Sequence, residues 1–153
     1  MAAQNQARVA LSLSDPWCVD RHRADLRHYV KNHVNILFAN EDEAISLVET
    51  DHPKSVQILA DLVDEAVITR GPLGAVICHA GQNFSVEANP QGPVIDTTGA
   101  GDLFAAGYLF GRTHDYDAKT SGRIASILAG EVISHIGARP EADLKALIKP
   151  IVG

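Results

Sequence analysis

A run of glycines and acidic residues opens an apolar segment of helical period beyond the middle of the 153-residue chain. The run reads DTTGAGD, from Asp96 to Asp102. Gly99 and Gly101 lack Cβ atoms, so the backbone there can turn its N–H groups outward, where they add to the positive end of a helix dipole. These donors suit a phosphate. An acid beside a phosphate repels it unless the acid accepts a proton from the attacking hydroxyl, which is the role predicted for Asp102.

A structural interpretation of the same residues stays open from the sequence. Thr97 or Thr98 would cap the helix, and Asp102 would complement its dipole. The run is not a Walker A loop, because no Gly-Lys-Ser/Thr follows, and it is not GxGxxG, because Phe104 stands where the third glycine would be. These departures disfavour a P-loop NTPase and a dinucleotide enzyme, and the tetrapeptide GAGD alone does not decide between cap and anion site.

The elements that must position this run follow an α/β pattern. Short aliphatic runs alternate with stretches of helical period, which is typical of a parallel sheet covered by helices. PVID, residues 93–96, is predicted as a strand that leads into a helix from near Gly101, so the run lies at the carboxyl end of a sheet, where open α/β folds bind ligands. Strands predicted at 66–71, 74–80 and 83–88 are separated by Gly and Pro, which indicates a locally antiparallel patch.

Composition indicates a soluble intracellular protein of one domain, with the cytoplasm as the expected location. The chain is 46% hydrophobic and 21% charged, and its formal net charge is −6 with no dense basic cluster. We therefore expect no nucleic-acid partner and no binding to an anionic membrane. No apolar run reaches the roughly 20 residues of a spanning helix. The two cysteines, Cys18 and Cys78, lie far apart without CxxC spacing, so neither a disulfide framework nor a zinc site is indicated.

The full run from Asp96 to Asp102, with the FAAGY that follows Leu103, resembles the C-terminal signature of the PfkB, or ribokinase-like, carbohydrate kinases. FANEDE is similar to the NxxE element of that family, and TRGPLGA resembles its T-x-G-x-x-G nucleotide loop. The order and spacing of the three motifs also agree. SLSDPWCVDRHR and EVISHIGARPE look closest to the bacterial adenosine kinase-like sugar kinases.

The resemblance implies a role for each matching residue. Asp102 would be the catalytic base, and Gly99, Ala100 and Gly101 would form the anion hole for the transferred phosphoryl group. The residues that would border the nucleotide are Thr69, Gly71 and Gly74.

The metal sites are also implied by the resemblance alone. Asn40 and Glu43 would join the magnesium and phosphate-water network, so that Glu43 acts on Mg²⁺ indirectly. The alternative for this pair is a helix N-cap with acids that complement the dipole. Backbone oxygens of Asp96 and Thr98, with the loop 137–139, would correspond to a monovalent-cation (K⁺) site in the members that have one.

The fold implied is a three-layer αβα sandwich whose N-terminal half and lid are absent, so that residues 1–153 form one partial domain with the nucleotide-binding and catalytic parts. The implied activity is transfer of the γ-phosphate of ATP, with Mg²⁺, to a hydroxyl of a sugar or nucleoside. A truncated, non-catalytic nucleotide-binding half-kinase is the alternative. In such a fold the absent strands would lie beside VALSL, so we expect an exposed sheet edge that a homo-oligomer could cover.

Overall fold

The computed structural model describes residues 7–153, which divide into two compact units. The first unit contains residues 7–70 and 76–83, and the second contains residues 71–75 and 84–153. Strands and helices alternate through the first unit, while the second is mostly helical. The predicted α/β class is confirmed.

Five strands form one sheet in the order β1-β2-β3-β4-β5. Their bounds are Ala10–Ser12, Ile36–Asn40, Glu65–Thr69, Ala75–His79 and Gln82–Val86. β1 pairs with β2, and β2 with β3, in parallel. Ala80 and Gly81, both with positive φ, form a two-residue turn between β4 and β5, a geometry that joins antiparallel strands. The sheet is therefore mixed, as predicted, and β1 lies at its edge with Ala10 and Ser12 exposed.

Three helices belong to the first unit: α1 (Pro16–His33), α2 (Glu41–Val48) and α3 (Lys54–Leu62). The helical period of VDRHRADLRHYVKNH predicts a helix over residues 19–33. α1 begins three residues earlier, because the Asp15 carboxylate accepts the N–H groups of Trp17 and Cys18 and so caps the helix. Strands and helices bury an aliphatic core between them. Its fully buried members include Val30, Leu37, Leu47, Leu59 and Ile68.

The second unit contains α4 (Ala100–Thr113), α5 (Ala118–Val132) and α6 (Leu144–Val152). Gly107 lets α4 lie close to α5, because a Cβ built on it would be 2.7 Å from the Cα of Ala125. Tyr108, beside it on α4, is fully buried. The start of α4 is thereby held on a packed helix pair. No helix of the described residues is long and apolar enough to cross a membrane.

The strand predicted for PVID is wrong. Residues 93–96 have no regular secondary structure, although the N–H groups of Ile95 and Asp96 both point to the carbonyl oxygen of Ile133, at 2.8 and 3.4 Å. Pro93 has no N–H to offer a ladder, and the N–H groups of Ile95 and Asp96 are taken by the end of a helix instead of a neighbouring strand. The glycine run therefore follows an irregular segment and not a strand of the described sheet.

Candidate functional site

The N-terminus of α4 leaves two backbone donors without acceptors. Gly99 is the N-cap residue, in the left-handed region at φ 82° and ψ −3°, and no side chain caps the helix. The amides of Ala100 and Leu103 are satisfied by Thr97 and Gly99 carbonyls, at 3.2 and 2.9 Å. Within the described residues the N–H groups of Gly101 and Asp102 have no acceptor. The helix start therefore offers two adjacent donors at the positive end of its dipole.

A threonine cap, the structural alternative for this run, is wrong. The Thr98 hydroxyl donates to the Asp96 carboxylate at 2.7 Å and does not turn toward the helix. Asp102 does lie in the first turn of α4, where its charge complements the dipole. That part of the structural interpretation stands beside the anion-site interpretation.

Space and exposure at this helix start leave room for a ligand. A Cβ built on Gly101 would meet no atom within 4 Å, and the residue is exposed. Asp102 is also exposed, and its carboxylate has no hydrogen bond or ion pair in the described part of the chain. The two free N–H groups and the unengaged carboxylate therefore lie on consecutive residues.

Asp96 organises the segment that leads into the helix. Its Oδ1 accepts the N–H and the hydroxyl of Thr98, at 2.9 and 2.7 Å, and its Oδ2 accepts the N–H of Gly137 at 3.0 Å. The Gly137 N–H, followed by the two Thr98 donors, lowers the pKa of Asp96 from 3.8 to about 2. The sequence interpretation gave Asp96 a backbone role only and missed this side-chain role. Its partner Gly137 lies 41 positions away, so no local spacing could reveal it.

An apolar cavity of about 640 Å³ lies within the second unit. Of the three residues predicted to border a nucleotide, Gly71 and Gly74 line it, and so does Ala100 of the predicted anion hole. Gly74 has φ 80°, and a Cβ there would lie 2.0 Å from the Val86 carbonyl oxygen, so no larger residue fits. Other lining residues include Pro72, Val94, Thr97, Phe104 and Ile133.

The remaining predicted site residues belong to the first unit. Asn40 caps α2 in a capping box: its Oδ1 accepts the Glu43 N–H, and its own N–H and Nδ2 donate to the two Glu43 carboxylate oxygens, each at 2.9 Å. Burial raises the pKa of Glu43, against the lowering effect of the Asn40 N–H. Thr69 ends β3, with its hydroxyl 3.5 Å from the Ala39 carbonyl oxygen. The N-cap interpretation of Asn40 and Glu43 is thus confirmed.

The oxygen atoms that are available as ligands limit how these residues could bind Mg²⁺ or a monovalent cation. Within residues 7–153 no three His, Cys, Asp or Glu side chains are arranged to hold a metal ion. Because Asn40 donates to both carboxylate oxygens of Glu43, this residue fits an indirect, water-mediated role toward Mg²⁺ better than direct ligation. The carbonyl oxygens of Asp96 and Thr98 accept no hydrogen bond from the described chain, so they are available to a cation.

Comparison with known proteins assigns the chain to a family. The model of the pfkB family carbohydrate kinases matches residues 1–144. The chain belongs to this family. Among pfkB relatives, a nucleoside kinase of Methanocaldococcus jannaschii is 32% identical over 108 residues, which are 69% of this chain and 34% of that protein.

Solved structures of pfkB-type kinases share the fold. An adenosine kinase from Sinorhizobium meliloti is similar with a TM-score of 0.93 at 35% identity. A probable sugar kinase from Rhizobium etli CFN 42 gives 0.94 at 37% identity. Each comparison covers 97% of this chain and 46% of the other chain. The ribokinase-like fold is confirmed, and the chain spans about half the length of these structures.

Proposed function

We propose that the chain carries the phosphoryl-transfer site of an ATP-dependent kinase that acts on a hydroxyl of a sugar or nucleoside. The observation that carries the proposal is the start of α4, where the unpaired N–H groups of Gly101 and Asp102 adjoin the exposed Asp102 carboxylate. Donors without acceptors at a helix N-terminus favour a phosphate, and a carboxylate beside a bound phosphate repels it unless the carboxylate takes up a proton from the attacking hydroxyl.

In the proposed reaction the oxygen of the substrate hydroxyl forms a bond to the γ-phosphorus, and Asp102 accepts the proton of that hydroxyl. The bond between that phosphorus and the β–γ bridging oxygen breaks, and ADP leaves. The free backbone N–H groups of Gly101 and Asp102 stabilise the charge on the moving phosphoryl group, because the N–H of Ala100, also placed in the predicted anion hole, donates to the Thr97 carbonyl oxygen. Asp96 positions the segment before them through its bonds to Thr98 and Gly137.

The nucleotide is proposed to place its base in the apolar cavity lined by Gly71, Gly74 and Phe104. Thr69 is also proposed to border the nucleotide. Apolar walls with few polar groups suit a flat heterocycle. ATP would arrive as its Mg²⁺ complex, and Glu43, held by Asn40, would orient water on that ion. We also propose that the free carbonyl oxygens of Asp96 and Thr98, with the loop 137–139, hold K⁺.

The alternative is a nucleotide-binding half-kinase that does not turn over by itself. The observation that favours it is length, since the chain spans only 46% of each of the two solved structures described above. In either case residues 1–153 would be one partial domain of a cytoplasmic kinase. A second copy could cover the exposed edge at β1.

The test is transfer of the γ-phosphate of radiolabelled ATP to a panel of sugars and nucleosides. We expect Asp102→Asn to lower kcat by roughly 10²- to 10⁴-fold, because Asn keeps the size of the side chain and cannot accept the proton. The matched control is Glu87→Gln, which removes a charge from an exposed residue of the same unit. Equal turnover by Asp102→Asn and the wild type would contradict the proposed base, and ATP binding without transfer would favour the half-kinase.

A further inference from the structure

Glu131 is a buried carboxylate near the C-terminus of α5 that the proposed reaction does not use. It is only 4% exposed. Its Oε1 accepts the N–H groups of Glu141 and Ala142, each at 2.9 Å, and lies 3.3 Å from Nε2 of His135. Its Oε2 is buried without a partner in the described chain. A buried carboxylate is costly unless it is compensated, so the donors on Oε1 must account for its presence.

The donors on Glu131 belong to the 134–142 loop, which leads from α5 toward α6. The same loop reaches the start of α4 at two points. Gly137 donates its N–H to Asp96 at 3.0 Å. A Cβ built on Gly99 would lie 2.8 Å from the Cβ of Ala138, so the loop backbone and the α4 N-cap are in close contact. One end of the loop is thus held by Glu131, and its middle is held against the segment 96–102.

We infer that Glu131 is a positioning residue that fixes the 134–142 loop, and through it Asp96 and Gly99, in the geometry that presents the α4 donors to a phosphate. The presentation of the α4 donors to a phosphate rests on the proposed function, but the contact of Glu131 with the 134–142 loop does not. Glu131 touches no residue of the segment 96–102 in the hydrogen bonds described, so its influence passes through the loop, by way of the loop backbone and of His135, whose charge also acts on Asp96.

The negative charge of Glu131 strengthens its hydrogen bonds to the loop amides, and the loss of that charge can be measured as faster amide hydrogen exchange. Burial alone would raise the pKa of Glu131, but the N–H groups of Ala142 and Glu141, with His135, lower it overall. The ionised form is therefore the one that binds the loop. A neutral acceptor of the same shape should bind the same amides less strongly, and an apolar side chain of similar length should not bind them at all.

The experiment is amide hydrogen exchange, followed residue by residue by NMR, in the 153-residue chain and its Glu131→Gln and Glu131→Met variants. We expect Met to speed exchange at Glu141, Ala142 and the remote reporter Gly137 by at least about tenfold, and Gln to speed it less at the same amides. Slow amides in the middle of α5 should change less than these three. Glu87→Gln, the exposed control, should leave all of them unchanged.

Three results would overturn the inference. A change at Glu141 and Ala142 with none at Gly137 would show a role confined to the end of the loop. A uniform rise throughout α5 would show only lost global stability. If Met prevents folding, the Gln variant decides, and exchange at Gly137 equal to the wild type rejects the inference. None of these readings needs a nucleotide, so a wild-type chain that fails to bind ATP would reject the proposed function and leave this comparison intact.

Discussion

Gly99 and Ala138 are in direct backbone contact: a Cβ built on Gly99 would lie 2.8 Å from the Ala138 Cβ and 2.9 Å from its Cα. Gly99 also has φ 82°, a conformation that side-chain-bearing residues rarely adopt. The N-cap of α4 and the 134–142 loop can therefore approach each other only with glycine at this position. Of Gly99 and Gly101, only Gly99 has a backbone conformation that requires glycine.

Gly99→Ala should destabilise the chain through both backbone strain and overpacking. The matched control is Gly137→Ala, because Gly137 also has positive φ, at 100°, but its Cβ would meet nothing within 4 Å. We expect Gly99→Ala to lower the free energy of unfolding by roughly 1–3 kcal/mol more than the control does. Urea denaturation measures both. Equal losses would mean that the Ala138 contact relaxes without cost.

Gly101→Val should separate ligand binding from stability. Its backbone is helical and its surroundings are open, so Val should change the free energy of unfolding by no more than about 1 kcal/mol. The same side chain would occupy the space in front of the free N–H groups and weaken ATP–Mg²⁺ binding at least about tenfold. Ala106→Val, at an exposed position of the same helix, is the control. Gly111 is unsuitable, because a Cβ there would lie 2.5 Å from the Ser121 Oγ.

Asp96 should make stability depend on pH in acid. Its folded pKa of about 2 lies below the ordinary value of 3.8, so its ionised form contributes stability that is complete above 3.8 and is lost as pH falls through about 2. Asp96→Asn should flatten the pH dependence of the unfolding free energy in that window. The exposed Asp25→Asn controls for the change of charge. An unchanged slope in Asp96→Asn would contradict the hydrogen bonds assigned to this carboxylate.

The capping box of α2 predicts a loss of stability together with a test of the magnesium role. Asn40→Ala should lower the free energy of unfolding by about 1 kcal/mol, because the Glu43 N–H loses its acceptor. If Glu43 orients water on Mg²⁺, Glu43→Gln should weaken ATP binding in the presence of Mg²⁺ and leave Mg²⁺-free binding unchanged. Calorimetric titration with and without Mg²⁺ checks this. Equal affinities of Glu43→Gln and the wild type in Mg²⁺ would leave Asn40 and Glu43 as a helix cap only.

Much of the fold could be predicted because it depends on local pattern. Alternating aliphatic runs gave the strands of the parallel part, and the punctuation around Gly81 gave the hairpin. The strand prediction for PVID was wrong because a β-branched pattern suits any extended segment. The partner of the Ile95 and Asp96 N–H groups, the carbonyl oxygen of Ile133, is a tertiary neighbour that the local pattern does not reveal. Capping by Asp15 extended α1 beyond the apolar period on which the prediction relied.

The candidate site was predictable in its residues and not in their contacts. The motif places Gly99, Gly101 and Asp102 together in sequence, and the structure gives these residues the unpaired donors and the exposed carboxylate. The motif alone could not show that, of Gly99 and Gly101, only Gly99 has positive φ, since both glycines are equally free to adopt that conformation. The contact of Asp96 with Gly137 joins residues 41 positions apart, with α4 and α5 between them, and the contact of Glu131 with Glu141 spans 10 positions, so no local spacing rule reports either.

The most direct test of the central claim is an NMR titration of the 153-residue chain with ATP–Mg²⁺, in which amide shifts are assigned to residues. The claim is that the N–H groups at the start of α4 receive a phosphate while the apolar cavity receives the base. The predicted result is saturable shifts at Gly101 and Asp102, together with shifts at Gly71 and Gly74, all of them weakened in Gly101→Val. A folded chain whose α4 amides do not respond, or respond equally in Gly101→Val, would contradict it.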